Sequence, residues 1–167
     1  MKKYLPALVA GFGAGVLTIV PVVKNLTCCL IVPAAAVIAL ILDRKANKEN
    51  ALILSSKAVL IGALTGLFAA LFGTFFEVFV TFITKHNDIV YAVTEFKNIF
   101  QGFMDEEVVD EAMGMLYGMV EDIQSTGFSF IYTLMILIGN TIVNTIFGIV
   151  GGLIGKQVLN ARYQNPK

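Results

Sequence analysis

Apolar and polar positions fall along this chain in long blocks. Four apolar runs, 4–23, 26–42, 58–80 and 128–154, each approach or exceed the roughly 20 residues an α-helix needs to cross about 30 Å of hydrocarbon. Across all four, Glu77 is the one charged residue. Only Lys24 and Asn25 part the first two runs, so these form a tight hairpin, and 43–57 is a polar return loop carrying Arg44, Lys45, Lys48 and Lys57. The pattern predicts an all-α integral membrane bundle of four transmembrane helices, with 1–167 as a single domain.

The connection 85–127 breaks the rhythm. It is long and acidic, with Asp88, Glu95, Asp105, Glu106, Glu107, Asp110, Glu111, Glu121 and Asp122. Val109, Ala112, Met113, Leu116, Met119, Val120 and Ile123 recur at helical spacing, and Asp105-Glu106-Glu107 supplies the negative first turn that a helix N-terminus favours. Ile89, Val93, Phe96, Ile99, Phe100 and Phe103 form a shorter amphipathic stretch ahead of it. The reading is an amphipathic acidic helical insertion between helices three and four, outside the cytoplasm. Helices that rest on anionic lipid carry Lys and Arg on their polar side, and this one does not. It is therefore expected to pack on the bundle, on a second copy or on another protein, with Met113, Met115 and Met119 as an adaptable contact surface.

Composition agrees with the pattern. With 57% hydrophobic and 14% charged residues and a mean hydropathy of +0.80, the chain has more apolar surface than a soluble domain buries. The net charge of zero conceals a segregation by side and gives no reason to expect a nucleic-acid partner. Lys2, Lys3, Arg44, Lys45, Lys48, Lys57, Lys156, Arg162 and Lys167 fall on one face, and only Lys24, Lys85 and Lys97 on the other. Because cytoplasmic loops retain Lys and Arg, this predicts a multi-pass protein of the cell membrane with both termini in the cytoplasm. A secretory signal would explain the basic start, but the Ala-rich candidate cleavage site, 34–36, lies inside the second run, so the first run is read as an uncleaved span.

The helix faces supply the candidate residues. At 100° per residue, Thr133, Asn140, Asn144, Gly148, Gly151 and Gly155 share one side of the fourth run. Gly62, Gly66, Ala69, Gly73 and Glu77 share one side of the third, and Gly11, Gly15 and Thr18 one side of the first. Small residues at i, i+4 let helices approach closely in lipid, so Gly11, Gly15, Gly62, Gly66, Gly73, Gly148, Gly151 and Gly155 are the expected packing positions. Glu77, Asn140, Asn144 and Thr133 are the expected interhelical or pathway polar groups. Glu77 falls roughly 28 Å along the third run, near the outer interface, where Lys24, Tyr132 or Thr133 could partner it. Asn140 and Asn144 lie deeper, where an unpaired amide costs several kcal/mol.

Cys28 and Cys29 are adjacent and the chain has no other cysteine, so no disulfide scaffold is expected and the pair reads as small apolar filling. No nucleophile–base pair, phosphate loop or metal cluster stands out, so neither enzymatic chemistry nor a cofactor is expected. The segment Gly11-Phe12-Gly13-Ala14-Gly15-Val16-Leu17, then Pro21, then Asn25-Leu26-Thr27-Cys28-Cys29-Leu30 and an Ala-rich second run resembles a group of small prokaryotic four-helix membrane proteins of unknown function. The resemblance covers roughly the first 42 residues well and the third run loosely, and implies a membrane fold without a known activity. The function expected first is a non-enzymatic oligomeric scaffold or accessory subunit, with the lipid bilayer and a second copy or another membrane protein as partners. The alternative is a small channel or transporter that uses the polar groups of helices three and four.

Overall fold

The computed structural model describes residues 4–20, 24, 26–47, 51–87, 89, 93, 95 and 105–164, apart from the side chains of residues 28 and 162–164. Lys2, Lys3, Pro21, Asn25, Lys48, Asp88, Phe96, Lys97, Ile99, Phe100, Phe103 and Lys167 lie outside the described residues, as do the side-chain surroundings of Arg162. Among the described residues the chain is all-helical: α1 (Leu5–Leu17), a π-helical turn (Thr27–Ile31) running into α2 (Val32–Asn47), α3 (Ser55–Thr84), α4 (Glu106–Thr126) and α5 (Phe130–Gln164). Two of these, α3 and α5, are long and apolar enough to cross a membrane. α1, at 13 residues, measures only about 20 Å.

The boundaries differ from the apolar runs for local reasons. α1 starts where Pro6 occupies the first turn, a position that needs no N–H. It closes at Leu17, short of the 4–23 run. The amides of Thr18, Ile19 and Val20 turn back to carbonyls three residues earlier, at 3.2–3.3 Å, a tightened end at a run of β-branched residues. Pro33 explains the second element: it has no N–H and its ring crowds the carbonyl four residues earlier. The widened turn just upstream answers both, with Ile31 N–H reaching back five residues to the Leu26 carbonyl at 3.4 Å. α5 runs ten residues past the apolar run because its last turns find polar partners, described below.

The chain divides into two compact units, Met1–Glu77 with Ile136–Lys167, and Val78–Met135. In the first, α1 buries Ala7, Ala10, Gly11, Ala14 and Gly15, and α2 buries Val32, Ala35, Ala36, Ala39 and Leu40. These faces are built largely from Ala and Gly, so the gain comes from close backbone approach. A Cβ on Gly11 would stand 2.6 Å from the Phe68 side chain, and one on Gly15 would stand 2.7 Å from that of Phe72. On α5, Gly148 and Gly152 meet α3 backbone at Gly62 and Ala58, while Gly151 meets α2 backbone at Pro33 and Gly155 meets Val37 and Leu40. α5 therefore lies against two helices at once, through two adjacent rows of glycine.

The second unit is built on α4. Val109, Met113, Met119 and Ile123 are buried, and Val109 and Met113 pack with Val93, flanked by Ile89, Leu116 and Val120. Met115 is the methionine of α4 that remains exposed. Gly127 ends the helix at φ 82°, a left-handed position where only glycine sits without strain. A Cβ there would also stand 2.6 Å from the Phe82 carbonyl oxygen. Lys85 donates to the Ser125 carbonyl at 2.7 Å, placing a cation at the negative end of α4.

Candidate functional site

Within the first unit, Thr18, Lys24 and Thr27 line, with residues of α3 and of the first half of α5, a half-open cavity of about 440 Å³. Its room comes from missing side chains. Gly73 on α3 and Gly139 on α5 both line it, and a Cβ at Gly139 would meet nothing within 4 Å. Ile136 and Val143 supply its apolar wall.

The polar groups converge from four segments. Lys24, beyond the end of α1, pairs with Glu77 on α3 at 3.0 Å, with side chains 37% and 18% exposed respectively. The pair is thus partly wet and open to the cavity rather than sealed in the core. Thr18 adds a hydroxyl at the end of α1 that donates to the Gly15 carbonyl at 2.6 Å. Thr27 lies in the π-helical turn and is 5% exposed. Asn140 donates from Nδ2 to the buried Thr74 hydroxyl on α3 at 3.0 Å.

Asn144 differs from all of these. It lines the cavity, is 6% exposed, and its side-chain amide makes no hydrogen bond among the described residues. An amide left without partners away from water costs several kcal/mol. Its position on α5 is fixed by close packing, because a Cβ on Gly66 of α3 would run into the Asn144 carbonyl oxygen. The backbone that carries the amide is therefore fixed against α3 at the cavity wall.

Of the four polar residues singled out in the sequence, the structure brings Glu77, Asn140 and Asn144 to this cavity. Thr133 belongs to the second unit, where its hydroxyl donates to the Ser129 carbonyl at 2.8 Å. Tyr132, another candidate partner for Glu77, donates to Asn87 Oδ1 at 2.8 Å, and Asn87 Nδ2 donates to Thr81 at 2.7 Å. The cavity also enlists Thr18 and Thr27, which the sequence reading had not assigned to a site. Thr18 had been grouped only with the α1 glycines, and Thr27 stood next to a cysteine pair read as apolar filling.

A second polar cluster closes the other end of the first unit. Asp43, 2% exposed, accepts from Lys57 Nζ at 2.7 Å and from Asn47 Nδ2 at 2.9 Å. Asn160 clasps the backbone of Ile53, accepting its N–H at 2.9 Å and donating to its carbonyl at 3.1 Å. Lys156 reaches Ser55 Oγ at 2.7 Å, and Arg44 donates to the Leu159 carbonyl at 3.5 Å. Residues counted from the sequence only as loop charges thus tie α2, α3 and the extended end of α5 together. The signal available for this was Asp43, an acid set directly at the end of an apolar run.

No protein-family model, curated protein or solved structure matches this chain.

Proposed function

We propose that this is a four-span membrane protein, amino and carboxyl termini in the cytoplasm, that binds a small polar solute in the cavity of its first unit as part of a transport or conduction path. The two spans beyond α3 and α5 are then the apolar run 4–23, which contains α1, and the π-helical turn with α2. The nine-to-three division of Lys and Arg supports the orientation. The row of large apolar side chains on the outside of α5, including Leu134, Ile138, Ile142 and Ile146, is what a lipid-facing helix presents. A chain of this kind sits in the bilayer without a cofactor or any covalent step.

The observation that carries the functional half is Asn144, 6% exposed overall, whose side chain makes no hydrogen bond among the described residues and lines a cavity that also holds an ion pair. A scaffold or accessory subunit needs close packing but has no use for a polar chamber between its helices. Intramembrane polar groups that line such a chamber mark a path for ions or solutes. The transporter or channel reading therefore takes precedence over the scaffold reading that the sequence alone put first.

The test is water access. In a variant with Cys28→Ala and Cys29→Ala, Gly139→Cys places a thiol on the cavity wall without displacing a neighbour. In proteoliposomes it should be alkylated by iodoacetamide, which reacts with the thiolate that only a water-reached site supports. Ile142→Cys, on the lipid-facing side, should stay unreacted. A thiol at position 139 as inert as one at position 142 would refute a hydrated cavity.

A further inference from the structure

Resting on that reading, the composition of the cavity narrows its ligand. Its wall carries one cation and one anion, Lys24 and Glu77, so its own charge sums to zero. A cationic solute would gain Glu77 and face Lys24; an anionic one would gain Lys24 and face Glu77. Either leaves one charge without an opposite partner in a partly buried site, where solvent screens it less than in bulk water. A solute with both signs can instead part the pair, its ammonium taking the place of Lys24 at the carboxylate and its carboxylate taking the place of Glu77 at the ammonium. Each of the four charges then keeps an opposite partner.

The neutral groups refine this. A primary ammonium has three N–H donors to satisfy, and beyond Glu77 the amide oxygens of Asn140 and Asn144 can accept from it. A carboxylate has acceptor sites left after Lys24, and the Asn144 NH₂, which makes no hydrogen bond among the described residues and lines the cavity, can donate to one. Quaternary ammonium ligands are held by aromatic faces, and no aromatic side chain lines the cavity among the described residues. At about 440 Å³, the space matches a small-molecule site. We propose that the cavity binds a small α-ammonium carboxylate, a solute of free amino-acid type, by inserting it into the Lys24–Glu77 ion pair.

Four isosteres separate the contributions: alanine, isobutyrate, alaninamide and isobutyramide, of nearly one shape but zwitterionic, anionic, cationic and neutral. Each is titrated for its ability to slow alkylation of the Gly139→Cys thiol in full-length protein in proteoliposomes. Alanine should half-protect at a concentration about tenfold or more below that of the other three, the ratio expected when one unit of charge is left uncompensated in a partly buried site. Glu77→Gln should transfer the preference to isobutyrate, and Lys24→Met to alaninamide. The two variants leave charges of opposite sign, so general loosening of the fold cannot produce both shifts.

If the Gly139→Cys thiol is alkylated but alanine protects it no better than isobutyramide, charge does not select the ligand and the proposal is overturned, while the hydrated cavity stands. Preference of the unsubstituted pair for either singly charged isostere would also overturn it. So would retention of the alanine preference after Glu77→Gln. A thiol that never reacts would fail at the earlier step, the cavity itself.

Discussion

Glycine has opposite meanings in the two units of this protein. In the first, Gly62, Gly66, Gly148, Gly151 and Gly152 stand where any Cβ would enter the backbone of a neighbouring helix. In the second, Gly114 and Gly118 on α4 sit at the same i, i+4 spacing, and a Cβ on either would meet nothing within 4 Å. The spacing that marks a contact in an apolar helix marks none in an acidic one. On the proposed membrane reading, apolar burial gives the helices of the first unit no drive for association, and close backbone approach has to supply the contact. Where the helix is amphipathic and wet on one side, apolar burial supplies it, through Val109, Met113 and Ile123.

The sharpest way to break this contrast is to add a methyl group to the packed kind. Gly66→Ala would drive a Cβ into the Asn144 carbonyl, an atom fixed in a helix that cannot rotate away. The expected loss is about 3 kcal/mol, at the upper end for overpacking because the obstacle is backbone. It would be read as a lower midpoint of SDS-induced unfolding followed by circular dichroism. Gly139→Ala, on the open cavity wall, should leave the midpoint unchanged or raised. Equal losses from the two would show that contact distance is not what these glycines provide.

Against that pair of results, the legibility of the sequence can be judged residue by residue. The glycine rows were visible because i, i+4 spacing in an apolar run has few other uses, although Gly152 went unassigned and the single stripe on the fourth run proved to be two rows. The acidic helix was visible through its period and its charged first turn. The limits of the helices were less so: hydropathy says where lipid could lie, while the end of α5 is set by Asn160 and Lys156 finding partners more than one hundred residues away in sequence. The cavity was half legible. Glu77, Asn140 and Asn144 stood out as polar groups in apolar runs, whereas Thr27 joins them only because Pro33 forces a π-helical turn. Thr133 shares a helix face with Asn140, but shared angle says nothing about depth, and its hydroxyl is taken by its own helix.

The second unit depends on apolar burial, so its weak point should be a side chain rather than a backbone. Leu116 is half-buried and packs beside Val93, Val109 and Met113. Leu116→Glu removes that contact and places a charge at its edge, at an expected cost of about 2 kcal/mol, near the lower end for losing a leucine contact because the site is only partly covered. Limited proteolysis should then cut within 106–126 at lower protease concentration. The SDS midpoint should fall less than with Gly66→Ala. A Leu116→Glu protein as protease-resistant as the parent would remove the case for apolar burial as what holds α4.

The smallest effect carries the opposite sign and completes the contrast. Gly118 lies inside α4 on its exposed side, in a helical conformation that any residue adopts, with open space where a Cβ would go. Glycine there gives the unfolded chain freedom that folding must remove, so Gly118→Ala should stabilise α4 by about 0.5–1 kcal/mol. Amide hydrogen exchange along 106–126 is the suitable measurement, because it reports opening of that helix by itself. Slower exchange after Gly118→Ala, beside a destabilised Gly66→Ala, would show one substitution acting with two signs for the stated reason. Faster exchange would mean that the open side of α4 is covered in the working protein, and repeating the measurement across protein concentrations would identify a second copy of the chain as the cover if the loss appears only at the higher ones.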